Sequence, residues 1–406
     1  MRVLYYHQYF KTRNAAGGTR SYEFAKRLVK KKHLVTIICA RDVDEDLNWK
    51  EFHNKDYRIG EVDGIKVIQI NLNTSHKQNY IKRTLGFVRF AIKSIRFAFT
   101  EQYDILFATS TPLTIGIPGI IIKIFKPKTK FIFEVRDLWP ELPRAMGAIR
   151  NPIILRLLGL LEKVSYHSAN ACIGLSPGMV EGIAKKGVHK DNIALIPNAC
   201  DLELFYPKNV DKNVIKGCSE NNFIAIFSGS HGTANGLDFV LDVANYLQKQ
   251  KNDVIKIVMI GKGVAKNNLV ARAKRENLNN CIFLEPVPKN ELVEILQASD
   301  IGMMVLADIP EFAYGTSPNK FFDYIATGLP VLVNHYGWVS DLISNYKCGY
   351  TTDAADYIGY AKKLIYLSNE KKLCDEMGIN ARKLAEEQFS RETLSDQFIE
   401  FLNKFN

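Results

Sequence analysis

The chain has 406 residues, 47% hydrophobic and 24% charged, which excludes disorder, collagen-like repeats and low-complexity scaffolds and leaves room for two or three domains with cores of their own. The formal charge is +11, and it is uneven: residues 1–200 hold 32 Lys/Arg against 17 Asp/Glu, the remainder 22 against 26. A basic front half implies either an anionic partner (membrane surface, phosphorylated substrate, nucleic acid) or a plainly solvated lysine coat.

Seven cysteines are scattered without a CxxC or Cys/His ligand spacing, so a reduced cytosolic protein without structural zinc is expected. The opening MRVLYYHQYF lacks the apolar core of a signal peptide, and the uncharged run Ile105–Ile122 is broken by Thr-Ser-Thr-Pro and Pro118, which argues against a membrane span.

Residues 2–7 read as a first buried strand. Ala-Ala-Gly-Gly-Thr-Arg follows, then a helix over about 19–32 with apolar positions at Tyr22, Phe24, Ala25, Leu28 and Val29. Further strands are predicted at 34–40, 65–70, 104–109, 130–135, 171–175 and 193–196, with helices between them. The polar stretch 207–222 reads as a linker. The pattern restarts with strands at 223–228, 255–260, 281–284, 301–306 and 330–334, a helix near 236–249, and a strongly helical end over 368–405. The fold class predicted is α/β: two Rossmann-like, doubly wound domains facing across a cleft, with ligands at the C-terminal strand ends. The boundaries expected are 1–207 for an N-terminal domain, 208–385 for a C-terminal domain, and 386–406 for a terminal helix able to return to the first domain.

Dinucleotide and P-loop chemistry fail on spacing. No strand is followed by GxGxxG: Gly17-Gly18 comes late, Gly229-Ser-His-Gly232 has the wrong interval, and Gly261-Lys-Gly263 lacks a third glycine.

The stretch 314–334 is the most informative. Ser317 suits an N-cap, Pro318 the first helical position, and Gly328 the left-handed stop. Lys320 then stands in a first turn, where a cation opposes the helix dipole at a cost of roughly 0.3–1 kcal/mol. An anion shared by Lys320 and the free N–H groups relieves that cost. Asp323 lies one turn further along the same face, placed for a ribose if a phosphate sits at the tip. A capped surface helix with a Lys320–Asp323 pair accounts for the same residues.

This stretch resembles the donor-site helix of retaining GT-B glycosyltransferases of the family-4 type. The Ser-Pro-x-Lys opening is similar to the bacterial branch that includes fucosamine (FucNAc) transferases of O-antigen and capsule synthesis. Supporting pieces run along the chain in order: Gly17-Gly18, Lys-Lys-His-Leu-Val-Thr (31–36), Phe-Glu-Val-Arg-Asp-Leu-Trp-Pro-Glu (133–141), Ile-Pro-Asn-Ala-Cys-Asp (196–201) and Ser-Gly-Ser-His-Gly-Thr-Ala-Asn-Gly-Leu-Asp (228–238). There are departures. Of two glutamates expected eight positions apart, the second falls on Asp323 and the first on Gly315. An Arg and a Lys that hold the diphosphate in the wider family fall near Ser230 and Asn235.

The resemblance implies transfer of a sugar, with retention, from a nucleotide donor expected to be UDP-linked. The acceptor it implies is a polyprenyl-diphosphate-linked sugar, and the product a surface polysaccharide. The donor-binding candidates are Gly17, Gly18, Gly229, Ser230, His231, Asn235, Gly261, Val287, Ser317, Asn319, Lys320 and Asp323. Lys320 and the glycine backbones would stabilise the leaving diphosphate. Asp137, where the family often has a His, is the candidate catalytic group on the acceptor side, with a loop carboxylate bridging to Arg136 as the structural alternative. Arg136 and Glu141 could equally pair, and His7 ends strand one nearby.

Asp42-Val-Asp44 and Asp44-Glu-Asp46 match a metal-binding Asp-x-Asp formally but lie far from the donor helix. No metal or other cofactor is expected. Residues 77–100 hold six Lys/Arg and no acid. Ile81, Leu85, Val88, Ile92, Ile95 and Phe99 form a 4-3-4-3-4 stripe expected to seat on the sheet, while Phe87, Phe90 and Phe97, with Lys82, Arg89, Lys93 and Arg96, would face an anionic membrane. Lys123, Lys126, Lys128 and Lys130 could join that face. A cytoplasmic enzyme peripheral on the inner face of the cell membrane is expected. A UDP-sugar epimerase or a noncatalytic nucleotide-sugar or lipid-binding module is the alternative, and nucleic-acid binding is not expected, since no module matches.

Overall fold

The structure, a computed structural model, describes the chain except residues 16, 42–46, 48, 51–54 and 74–79 and the side chains of residues 73 and 80–83. The Asp-x-Asp triplets at 42–46 therefore lie outside the described residues. The chain forms two α/β units, one of Met1–Pro197, Gly315–Ser317 and Glu392–Asn406, the other of Asn198–Tyr314 and Pro318–Arg391. The second unit starts ahead of the 207/208 boundary because 198–207 is tied to it. The Cys200 N–H donates to the Phe389 carbonyl (2.7 Å) and Arg382 Nη1 to the Phe205 carbonyl (2.8 Å).

The first unit holds strands β1 Arg2–Tyr6, β2 Leu34–Arg41, β3 Tyr57–Val62, β4 Ile65–Asn73, β5 Ile105–Thr109, β6 Lys130–Val135, β7 Ala171–Gly174 and β8 Ile193–Leu195. Their order is β3-β4-β2-β1-β5-β6-β7-β8, and every pair is parallel except β3 with β4. Helices cover both faces, so the central strands are continuous apolar runs; all of β5 is buried. Strand β3 is an addition to the expected set. It joins β4 through Asp63-Gly64, both at positive φ, a tight hairpin turn.

On one face lie the helix Arg20–Lys30 and the terminal helix Arg391–Asn403. Phe398 packs between Phe24 (4.8 Å) and Phe107 (5.1 Å), and Arg27 pairs with Asp396 (2.7 Å). On the other lie the helices Tyr80–Thr100, Ile117–Phe125 and Pro152–Ser168, which share one core cluster through Phe90, Phe97, Ile122 and Tyr166. The first of these is turned opposite to expectation. Phe90 and Phe97 are buried with the small residues Ala91, Ser94 and Ala98, while Leu85, Val88 and Ile92 are 48, 38 and 60% exposed. Burying the rings removes more apolar area at about 25 cal/mol per Å², and the small residues between them let the helix approach the sheet. Lys93 and Arg96 both pair with Asp56 (2.9 and 3.0 Å), so two of the cations expected to face lipid share one carboxylate, which offsets half of their charge.

The second unit holds β9 Phe223–Ser228, β10 Ile255–Ile260, β11 Cys281–Leu284, β12 Ile301–Met304, β13 Val331–Val333 and β14 Gly349–Thr351, all parallel in the order β11-β10-β9-β12-β13-β14. The three-residue edge strand β14 was not expected. In each sheet the direction of winding reverses once, between β1 and β5 and between β9 and β12. Such switch points open a crevice at the C-terminal strand ends.

Candidate functional site

In the second unit the switch point is built from two glycine loops and one helix. Gly229 follows β9 at φ +151° and Gly261 follows β10 at φ +150°, a region that disfavours other side chains. A Cβ on Gly261 would strike the Gly229 carbonyl oxygen. The loops are laced together: Gly229 N–H donates to Ile260 O, His231 N–H to Lys262 O, and Ala265 N–H to His231 O, each at 2.9 Å. Bare backbone therefore meets bare backbone where the strands end.

The helix Asn319–Thr327 follows the path between β12 and β13. It starts one residue later than its sequence predicts. Pro318 takes ψ 120°, an extended value, so it precedes the first turn and no side chain caps it; Ser317 is not the N-cap. Gly328 closes the helix in the left-handed conformation, as expected. Tyr324 anchors the helix to the sheet, its oxygen accepting from Ser228 N–H (2.8 Å).

This anchoring sets Lys320 beside the loops. Its Nζ donates to Asn235 Oδ1 (2.7 Å) and stands 4.0 Å from the Phe227 ring centre. Asn235 in turn donates to the Ser230 carbonyl (2.7 Å). No carboxylate pairs with Lys320 among the described residues, and burial pulls its pKa down to about 7. His231 is fully buried with both ring nitrogens unpartnered among the described residues. Burial, then Lys266 and Lys320, hold it down to about 4, so it is neutral at pH 7. The structure thus brings Gly229, Ser230, His231, Asn235, Gly261 and Lys320 together. Such a cluster can receive a diphosphate: a cation with a neutral partner, free helix N–H groups and a neutral imidazole able to donate one N–H.

Asp323 goes elsewhere. Both its oxygens take Lys289 Nζ (2.8 and 3.1 Å) in a buried pair, so the Lys320–Asp323 alternative is excluded. A ribose would have to share that carboxylate with Lys289. Val287 is half-buried ahead of the Lys289 helix, and Asn319 is exposed at the helix start. Lys289, Tyr324 and His335 escaped the sequence reading. His335 follows β13, is held down to about 4 by burial and Lys320, and keeps Nε2 unpartnered among the described residues. A strand-end position was its only signal.

In the first unit, Gly17 and Gly18 precede the helix Arg20–Lys30. Arg20 fixes that helix by a buried pair with Glu134 (2.7 Å) and bonds to the Ile196 and Pro197 carbonyls. At the β5 and β6 ends, Thr111 Oγ1 donates to Asp137 Oδ2 (2.7 Å), and burial raises the Asp137 pKa. Arg136 does not bond Glu141; its Nη1 stands 3.4 Å from His7 Nε2, and Glu141 pairs with Lys186 (2.9 Å). His7 is buried, and burial then Arg136 hold it well below its ordinary pKa.

Residues 17–204 match the family Glycosyltransferase Family 4, and residues 211–384 match Glycosyl transferases group 1. The chain is a GT-B glycosyltransferase of the group 1/family 4 type. Among its curated relatives is WcaI of Escherichia coli K12, whose name places it in colanic acid biosynthesis as a glycosyl transferase. It is 22% identical over 53% of this chain and 54% of its own, so the match spans about half of that relative. The capsular polysaccharide biosynthesis glycosyltransferase CapM of Staphylococcus aureus is 21% identical over 92% of this chain and 96% of its own. Among solved structures, Anabaena HepE in complex with UDP-glucose superposes with a TM-score of 0.72 at 16% identity, covering 100% of both chains. The glycosyltransferase shares the fold of that structure, and the Gly229–Gly261–Lys320 cluster lies in the half matched by the group 1 family.

Proposed function

We propose that this glycosyltransferase moves a sugar from a UDP-linked donor, with retention and without a metal, to a polyprenyl-diphosphate-linked sugar at the inner face of the membrane, building a capsule- or O-antigen-type polysaccharide. The observation that carries it is the Lys320 ammonium, placed at the start of the 319–327 helix beside the two glycine loops with only a neutral amide as partner. CapM and WcaI, both named for surface polysaccharide synthesis, and HepE with its UDP-glucose support the pathway and the donor.

As the sugar–phosphate bond breaks, negative charge grows on the departing diphosphate. Lys320, the helix N–H groups and His231 stabilise it, each such donor being worth about 3–4 kcal/mol when aimed at developing charge. Asn235 positions Lys320. Asp323 takes a ribose hydroxyl only by exchanging one of its Lys289 bonds. Asp137, its proton affinity raised by burial, orients the acceptor hydroxyl.

The test offers UDP-, GDP- and dTDP-sugars with and without a lipid-diphosphate acceptor, and follows free nucleotide and the anomeric configuration of the product. Acceptor-dependent release of UDP, retained in chelator and lost in Lys320→Ala, is expected. Epimerised donor without release, an inverted product, or full turnover by Lys320→Ala overturns the proposal.

A further inference from the structure

The three helices over one face of the first unit bury one apolar set against the sheet and expose a second on their outer sides. In the helix Pro152–Ser168, Glu162, Ser165 and Tyr166 are buried. At 100° per residue, Ile153, Leu157, Leu160 and Val164 form a single stripe within about 60° of arc, opposite Glu162. They are 65, 61, 59 and 37% exposed. Arg156 and Lys163 flank one edge of the stripe, both exposed and both without a carboxylate partner among the described residues.

The helix Ile117–Phe125 packs against this helix and against Tyr80–Thr100. It exposes Ile124 and Phe125, and Phe125 meets Phe99 edge-on at 5.8 Å with the Lys126 ammonium over the Phe99 ring. The stripe of Leu85, Val88 and Ile92 continues the surface. All three helices rest on the same core cluster, so their outer sides form one layer. Of 24 exposed large hydrophobics among the described residues, 11 lie on these three helices, a concentration that solvated surfaces avoid. Their sequences contain one acid, Glu162, and it points inward. No helix among the described residues is long and apolar enough to cross a membrane.

We propose that this layer seats the protein on an anionic lipid bilayer, with the Ile153/Leu157/Leu160/Val164 stripe at the acyl boundary and Arg156, Lys163 and Lys126 on the headgroups. This goes beyond the 77–100 segment read from the sequence, because its centre is the 152–168 helix. Charge selects the occupant: a second copy of the same face would set cation against cation, whereas anionic headgroups complement the rim. The surface deepens the acceptor side of the proposed function but is measured without donor or acceptor.

The experiment is sedimentation of the full chain with vesicles of phosphatidylglycerol and phosphatidylethanolamine, or of phosphatidylcholine alone, with solution mass measured in parallel. Wild type partitions to the anionic vesicles and stays monodisperse. Leu157→Gln with Leu160→Gln lowers partitioning at least tenfold. Arg156→Gln with Lys163→Gln lowers it and flattens its salt dependence. Ile379→Gln, at an exposed apolar residue of the second unit, leaves it unchanged. All these positions are exposed, and an unchanged circular dichroism spectrum and melting midpoint check that each variant folds. Equal partitioning of Leu157→Gln/Leu160→Gln, equal binding to neutral vesicles, or a stable dimer that these substitutions dissociate overturns the proposal. Loss of sugar transfer with partitioning intact would count against the catalytic reading instead.

Discussion

Lys320 should destabilise the protein that depends on it, and Lys320→Met isolates the effect. Burial brings its ammonium from an ordinary 10.5 to about 7. Between those values the folded chain has released a proton that the unfolded chain still holds, so stability rises with pH across that window. At and below pH 7 the penalty on the charged form is largest. Each pH unit crossed above 7 recovers up to about 1.4 kcal/mol. Part of the side chain keeps contact with water, and the variant leaves Asn235 Oδ1 without its donor. The net gain of Lys320→Met at pH 7 is therefore about 1–3 kcal/mol. For a unit of this size that raises the melting midpoint by about 2–4 °C per kcal/mol. The gain should shrink steadily toward pH 10. UDP should reverse the ranking, since ligand at about 1,000 times its dissociation constant stabilises wild type by about 4.1 kcal/mol and the variant hardly at all. Calorimetry at pH 6.5, 8 and 9.5, with and without UDP, reads both arms. A variant that melts below wild type at pH 6.5 and still responds to UDP would refute the reasoning.

Asp323→Asn leaves the Lys289 ammonium buried without its counter-charge and should cost about 3–5 kcal/mol in urea unfolding, whereas Lys289→Met with Asp323→Leu recovers most of it. Gly261→Ala drives a methyl group into the Gly229 carbonyl, so the UDP-induced thermal shift should fall at least tenfold in apparent affinity while the first unit's transition stays put. Asp137→Asn should keep UDP affinity but lower transfer about 10²-fold or more, with the loss in turnover rather than in donor KM. Burial pushes Glu162 up to about 7 despite Lys186, so the folded chain holds a proton between pH 4.5 and 7 that the unfolded chain lacks. Stability should fall as pH rises through that interval, and Glu162→Gln should remove the slope, as urea midpoints at pH 4.5 and 7.5 would show.

Buried parallel strands were legible because both of their faces are covered, which writes them as unbroken apolar runs such as Ile105–Ala108. The strands that were missed lie at sheet edges. Tyr57–Val62 carries Arg58 and Glu61, yet its Asp63-Gly64 turn was a usable hairpin signal; Gly349–Thr351 is too short to leave a pattern. Periodicity located the helix Tyr80–Thr100 but could not orient it. A 4-3-4-3 aliphatic stripe and a set of phenylalanines are both apolar, and the small residues between Phe90 and Phe97 decide which set meets the sheet. The candidate site divides along the same line. Lys320 was visible because its cost is local: a cation in a first turn opposes the dipole of its own helix. Asp323's partner was not, because Lys289 reaches it from another element 34 residues away. A local violation without a local remedy points to a missing ligand, and Lys320 is the residue in this unit where that logic and the geometry agree. Its carboxylate neighbour one turn on, which looked like the remedy, is spent on Lys289, so the ammonium is left for something the chain does not itself supply.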